Sequence, residues 1–261
     1  MLYSHRHNLG HVQKTCSGLH SSSRRYGETS SASRNGSATI RLGSMPLPVV
    51  SFSSYLTAVD GVSWRTADYD ARNFVHAIKD HDIATFACVR CGTEWREFDN
   101  WNRQEVVFWF ADMVAEHFAG HPLPHPFILV PVPGSQADLR FDGSSRMAAV
   151  ARAIAGQLPA ACGVQDVLRW ESPMLPATAW GGRRDAAFLY ERLRITSRLN
   201  GERVVLVDDV VTTGGHLRAC AARLRSQGAE PLLGICAGRA DPVQVVDPFA
   251  VRQEELDDFQ P

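Results

Sequence analysis

Residues 204–216, Val-Val-Leu-Val-Asp-Asp-Val-Val-Thr-Thr-Gly-Gly-His, constrain the fold more than any other stretch of this 261-residue chain. Four consecutive aliphatic residues, Val204 to Val207, have the length of a strand and no polar face. Such a run fits the centre of a parallel sheet covered on both sides. Asp208 and Asp209 then emerge at its carboxyl end, the edge at which open α/β sheets take their ligands. A helix is expected from about His216, so Val211, Thr212, Thr213, Gly214 and Gly215 carry several backbone N–H groups and two hydroxyls to the positive end of that helix, which suits a phosphate. The glycines let the main chain come close to an anion and adopt positive φ. Two carboxylates beside an anion cradle fit a ligand with both a phosphate and a diol, such as a furanose 5-phosphate whose 2- and 3-hydroxyls reach Asp208 and Asp209.

The flanking pattern supports a doubly covered sheet. Phe127 to Pro133 (FILVPVP) reads as a buried strand ending in prolines, followed by a polar loop and the helical run SRMAAVARAIAGQL. After the opening stretch come HLRACAARLRSQG, a helix ended by Gly228, and PLLGICAG, a further strand. Strand, helix, strand, helix, strand predicts an α/β fold, a parallel sheet of about five strands with helices on both faces. Upstream, Val106, Phe110, Met113, Val114, His117 and Phe118 share one face at helical spacing, so Gln104 to Phe118 reads as a core helix and His117 as a core histidine. ARNFVHAIKDHD reads as a short helix and ATFACVRCGTEW as a strand pair or small knuckle.

Composition excludes several classes. The apolar share of 44% suits a chain with a real core, and the longest apolar runs, near ten residues, fall short of the roughly twenty that span a bilayer. Residues 1–44 hold six basic residues against Glu28 alone, are rich in Ser and Arg, and lack apolar periodicity. They read as a disordered basic tail, dispensable or upstream of a start at Met45, and the histidines among them have no ordered scaffold on which to bind a metal. With that tail set aside the body is net acidic, which offers no basic face for nucleic acid. The N-terminus lacks a secretory layout, so the six cysteines read as reduced thiols of a cytoplasmic protein. Cys88 and Cys91 form a single C-x-x-C, short of the four ligands of a structural zinc, and Cys162, Cys220 and Cys236 read as core fillers. The domain is expected to run from 46 to 242, with 46–103 as an irregular hood and 243–261 as an acidic, solvated tail.

Paired acids after a buried strand also occur as metal-binding aspartates of nucleotide hydrolases and receiver domains, but no G-x-x-x-x-G-K-[ST] accompanies them here. The run of aliphatics, two acids and V-x-T-T-G-G instead resembles the binding signature of the type I phosphoribosyltransferases, which use 5-phosphoribosyl 1-pyrophosphate (PRPP) and Mg²⁺. Pro133, Gly134 and Ser135 stand where that family holds pyrophosphate. Pro-Val-Pro followed by Arg140, Arg146 and an Ala-rich helix resembles the ComF-like branch, named for competence and DNA uptake, and Lys79 matches that group's lysine.

The resemblance implies displacement of pyrophosphate from C1 of PRPP by a nitrogenous base or amine. Asp208 and Asp209 would hold the ribose hydroxyls, directly or through Mg²⁺ and its waters, Val211 to His216 the 5-phosphate, and a basic lid between Leu168 and Ile195 the pyrophosphate, with Arg183 and Arg184 first and Arg192 and Arg194 behind them. His216 departs from the Thr or Ser usual in the family. Thr212 stands where hypoxanthine-guanine enzymes carry Asp, which speaks against a 6-oxopurine. The fold equally serves a non-catalytic PRPP or nucleotide sensor or a competence accessory, and a Mg²⁺-dependent phosphohydrolase is a third reading. Homodimers are common in the family.

Overall fold

In the computed structural model, residues 45–57, 61–140, 143, 145–174 and 185–261 are described. The expected basic tail therefore lies outside the described residues, which all fall in one compact unit, Leu42–Pro261.

The central strand is the predicted one. β9, Arg203–Val211, runs parallel between β5, Phe127–Pro131, and β10, Glu230–Asp241. Val204 to Val207 are wholly buried, and their side chains alternate between two cores: Val205 and Val207 face one cluster, Val204 and Leu206 the other. This is the period-two geometry of a strand covered on both faces. The first core is closed by α1, Thr66–Ile78, α2, Glu105–Gly120, and α3, Arg146–Gln157; the second by α4, Ala186–Arg192, and α5, Gly215–Arg225. α3 begins where Ser145 accepts a hydrogen bond from the Ala148 N–H, and α5 begins at Gly214 in the left-handed region, φ 74°. No helix among the described residues is long and apolar enough to cross a membrane.

The sheet is larger than expected. Its seven strands run in the order β11, β1, β10, β9, β5, β6, with β2 pairing the far end of β10; β1 is Leu47–Ser51, β2 Ser54–Leu56, β6 Ala161–Val164 and β11 Arg252–Leu256. All pairings are parallel except β1 with β11.

Two expected boundaries are corrected. Residues 46–103 are not irregular: they supply β1 and β2 to the main sheet, α1 to its first core, and a hairpin of β3, Ala87–Cys91, and β4, Glu94–Phe98, packed on that core. Residues 243–261 are not a solvated tail: their Arg-Gln-Glu-Glu-Leu stretch is the edge strand β11, and its charges are tolerated because an edge strand keeps one side in water.

Cys88 and Cys91 sit on β3, where a spacing of three turns side chains to opposite faces, and burial raises the pKa of both thiols. No group of three or more metal-ligating side chains occurs among the described residues. The segment expected as a lid is partly regular: β7, Leu168–Trp170, pairs with β8, Leu193–Ile195, and α4 precedes β8.

Candidate active site

Strand order creates a crevice at the carboxyl ends of β5 and β9. β9 continues through α5 to β10 on one side, whereas β5 continues through α3 to β6 on the other. The two loops leave neighbouring strands in opposite directions and open a gap between them, the topological position at which α/β sheets hold ligands.

From β9 the gap receives Asp208 and Asp209. Both are half-buried on the last part of the strand, which runs on to Val211 and so is longer than the aliphatic run alone indicated. The Asp209 N–H donates to Asp208 Oδ1 at 2.9 Å. Burial, reinforced by the neighbouring charge of Asp209, pushes the Asp208 carboxyl up from its ordinary value to about 7. Val211 is buried, Thr212 and Thr213 are exposed, and Gly214 and Gly215 lead into α5 with His216 in its first turn. Thr212 and Thr213 are thus neither helical nor covered, whereas Gly214 and Gly215 are buried.

Gly214 is required twice over. Its φ is positive, and a Cβ there would lie 2.5 Å from Leu256 Cδ1. Arg239, on β10, donates through Nη1 to the Thr212 carbonyl at 2.6 Å, and its Nε lies 2.8 Å from Glu254 Oε1.

From β5 the gap receives Pro133, Gly134 and Ser135. Pro133 is buried, Gly134 exposed and Ser135 half-buried. Their placement depends on Trp170, a fully buried side chain whose indole N–H donates to the Gly134 carbonyl at 3.0 Å and, more weakly, to that of Pro133 at 3.3 Å. The Met174 N–H adds a bond to the Ser135 carbonyl at 2.8 Å. The ring of Trp170 also meets that of His216 edge to face at 5.8 Å, so one aromatic side chain touches both loops.

Two cations converge on Asp209. Arg146, first residue of α3, places Nη2 2.9 Å from Oδ2, and Lys79, just past α1, places Nζ 3.8 Å from Oδ1. Arg146 also donates through Nη1 to the Lys79 carbonyl, while its Nε is buried without a hydrogen-bond partner. The Lys79 ammonium lies over the Tyr55 ring at 5.6 Å, and the Tyr55 hydroxyl approaches His76 Nε2 at 3.4 Å. Burial, with Arg72, His81 and Lys79 nearby, lowers His76 to about 4, so its ring adds no charge to the cluster at neutral pH.

The structure therefore brings together every expected residue of the two loops and both aspartates. Arg183 and Arg184 lie outside the described residues. Arg192 stacks on Phe188 at 3.6 Å, Arg194 pairs with Glu171 at 2.9 Å, and Arg140 pairs with Asp138 at 2.8 Å, so all three are engaged locally. His117 packs edge to face on Phe52 but is only partly buried and stacks on His121, so it sits at the rim of the core rather than within it.

Trp170, Arg239, Glu254 and Leu256 carried no signal as site residues. Arg146 and Lys79 were marked only by a family resemblance, which gave them neither a role nor a shared carboxylate. A surface groove of about 610 Å³ lies at the other end of β9, between residues 195–201 and 226–228, and no carboxylate lines it.

No family model and no curated protein matches the chain. Similar solved structures include adenine phosphoribosyltransferase from Saccharomyces cerevisiae, complexed with an imino-altritol bisphosphate and adenine, at 17% identity and TM-score 0.36 over 64% of this chain and 88% of that one. Adenine phosphoribosyltransferase from Trypanosoma brucei, in complex with AMP, pyrophosphate and ribose-5-phosphate, is similar at 14% identity and TM-score 0.34, over 73% and 86%. A hypoxanthine phosphoribosyltransferase from Staphylococcus aureus is similar at 8% identity and TM-score 0.32, over 51% and 72%.

Proposed function

We propose that the crevice binds PRPP and that the protein transfers its phosphoribosyl group to a nitrogenous acceptor, releasing pyrophosphate. The observation that carries this reading is the adjacency, on neighbouring parallel strands, of a glycine-bearing anion loop entering α5 and a second short loop after β5, with two carboxylates between them. One phosphate at each loop and a diol at the carboxylates describe a pentose phosphorylated at both ends.

In this reading the amides of Thr212 to His216, with the Thr212 and Thr213 hydroxyls, hold the 5-phosphate, and Asp208 and Asp209 accept the ribose hydroxyls. The main chain of Pro133 to Ser135 holds pyrophosphate. Arg146 and Lys79, which share Asp209 in the free protein, stand ready to be shared with the leaving group; together they carry more positive charge than one carboxylate offsets. Arg183 and Arg184 are assigned the same task.

The paired carboxylates suit Mg²⁺, a hard cation that takes one or two carboxylates and completes its shell with water and substrate oxygen. When bound, it neutralises charge that builds on the departing pyrophosphate. The acceptor nitrogen attacks C1 as the bond to the pyrophosphate oxygen breaks, with inversion, and the nitrogen then loses its proton. Through the oxocarbenium-like transition state these residues keep the two ends of PRPP fixed and the leaving oxygens paired.

The test is to incubate the protein with PRPP, Mg²⁺ and a panel of nucleobases and amines while following pyrophosphate. Pyrophosphate release that requires one acceptor supports the transferase. Thermal stabilisation by PRPP with no release from any acceptor makes the protein a sensor, and orthophosphate release from simple phosphoesters makes it a hydrolase.

A further inference from the structure

β11 lies three strands away from β9 in the sheet, yet its alternate residues reach the loop that follows β9. Arg252 pairs with Asp241 at 2.5 Å, at the end of β10. Glu254 Oε1 holds Arg239 Nε at 2.8 Å, and Arg239 Nη1 in turn takes the Thr212 carbonyl at 2.6 Å. Leu256 fills the space against the Cα of Gly214. Residues 252, 254 and 256 share one face of the strand by its period of two. Gln253 turns the other way, toward His117 of α2, and Glu255 is exposed.

The consequence for an anion is electrostatic. A carbonyl oxygen turned into the crevice would repel a phosphate, and the Arg239 guanidinium fixes that of Thr212 on its own side. A planar trans peptide points its N–H opposite to its C=O, so the same contact aims the Thr213 amide away from Arg239. Glu254 restricts Arg239 to the rotamer that makes this bond. The pair is about a quarter and a third exposed, sheltered enough to outlast solvent screening that weakens fully exposed pairs.

We propose that Glu254 and Arg239 are positioning residues of the 5-phosphate subsite: the last strand of the sheet presets the loop that receives the anion. This inference rests on the PRPP reading above. It is tested by calorimetric titration of the full chain with two probes, ribose 5-phosphate and pyrophosphate. Glu254→Ala and Arg239→Ala are each expected to weaken ribose 5-phosphate about tenfold, the scale of one charge-assisted hydrogen bond.

Pyrophosphate, assigned to Pro133–Ser135, binds as in the parent. The double variant is no weaker than Arg239→Ala alone, because Glu254 acts through Arg239. The control Glu255→Ala leaves both titrations unchanged. If Glu254→Ala unfolds the chain, Glu254→Gln, of the same shape, replaces it. Parental affinity for ribose 5-phosphate in Glu254→Ala, or equal losses for the two probes, overturns the positioning role alone. A parent that binds neither probe overturns the PRPP reading and this inference together.

Discussion

Arg146 and Asp209, 63 residues apart in sequence, meet at 2.9 Å across the crevice between β5 and β9. The contact joins the start of α3 to the ligand edge of the central strand, and Lys79 approaches the same carboxylate from α1. Arg146→Ala leaves one cation on Asp209 where there were two. It is expected to raise the Kd for pyrophosphate by about tenfold or more, while the Kd for ribose 5-phosphate rises much less. Unfolding by urea checks the structural side: Arg146→Ala and Asp209→Asn combined cost less stability than the sum of the singles, because they share one interaction.

Asp208 sets a pH dependence. Its folded pKa of about 7 lies above the ordinary carboxylate value, so the native chain keeps a proton that the unfolded chain releases between about pH 4 and pH 7. The folded state binds more protons in that window, and stability falls as pH rises through it. Asp208→Asn removes the titration. In metal-free buffer its Tm at pH 8 is expected to exceed the parent's and its Tm profile to flatten between pH 5 and pH 8. The same variant loses affinity for ribose 5-phosphate, since an amide is a weaker acceptor for a ribose hydroxyl.

Gly214 and Leu256 form a second coupled pair. Gly214→Ala meets both a positive φ and a side chain at 2.5 Å, a combination worth about 1–3 kcal/mol in a loop held on both sides. Adding Leu256→Ala opens the space but leaves the φ penalty. The double variant is therefore expected to be less destabilised than the sum of the single changes, measured by chemical denaturation, with ribose 5-phosphate binding still impaired.

Trp170→Phe tests the hold of the indole N–H on the β5 loop. Phenylalanine keeps most of the buried ring but removes the N–H that serves the Gly134 and Pro133 carbonyls. The expected stability cost is about 1–2 kcal/mol, the range for a lost buried hydrogen bond. Pyrophosphate affinity is expected to fall more than that for ribose 5-phosphate, because the indole N–H bonds only the β5 loop.

Much of the candidate site was legible because local sequence dictates it. Val204 to Val207 can lie only where both faces are dry, and Thr212 to Gly215 can serve few purposes other than a sharp entry into a helix. The edge strands were not legible for the opposite reason. β11 buries one side chain, Leu256, in five positions, and β1 is five residues long with Pro48 among them, so neither carries a period strong enough to separate strand from loop. The roles of Trp170 and Arg239 arise from hydrogen bonds to main-chain carbonyls. Such acceptors exist at every residue, so only tertiary placement reveals which are used.

The parallel pairing of β1 with β10, and its antiparallel pairing with β11, also governs how the protein is made. β1, the first of the described strands, has no partner in the sheet until β10 and β11, far along the chain, have been translated. Such distant pairing slows folding and leaves Val49 and Val50 uncovered in the nascent chain. A message that stops short of β11, or a protease that removes it, would yield a polypeptide in which β1 is open on one edge to other copies of itself.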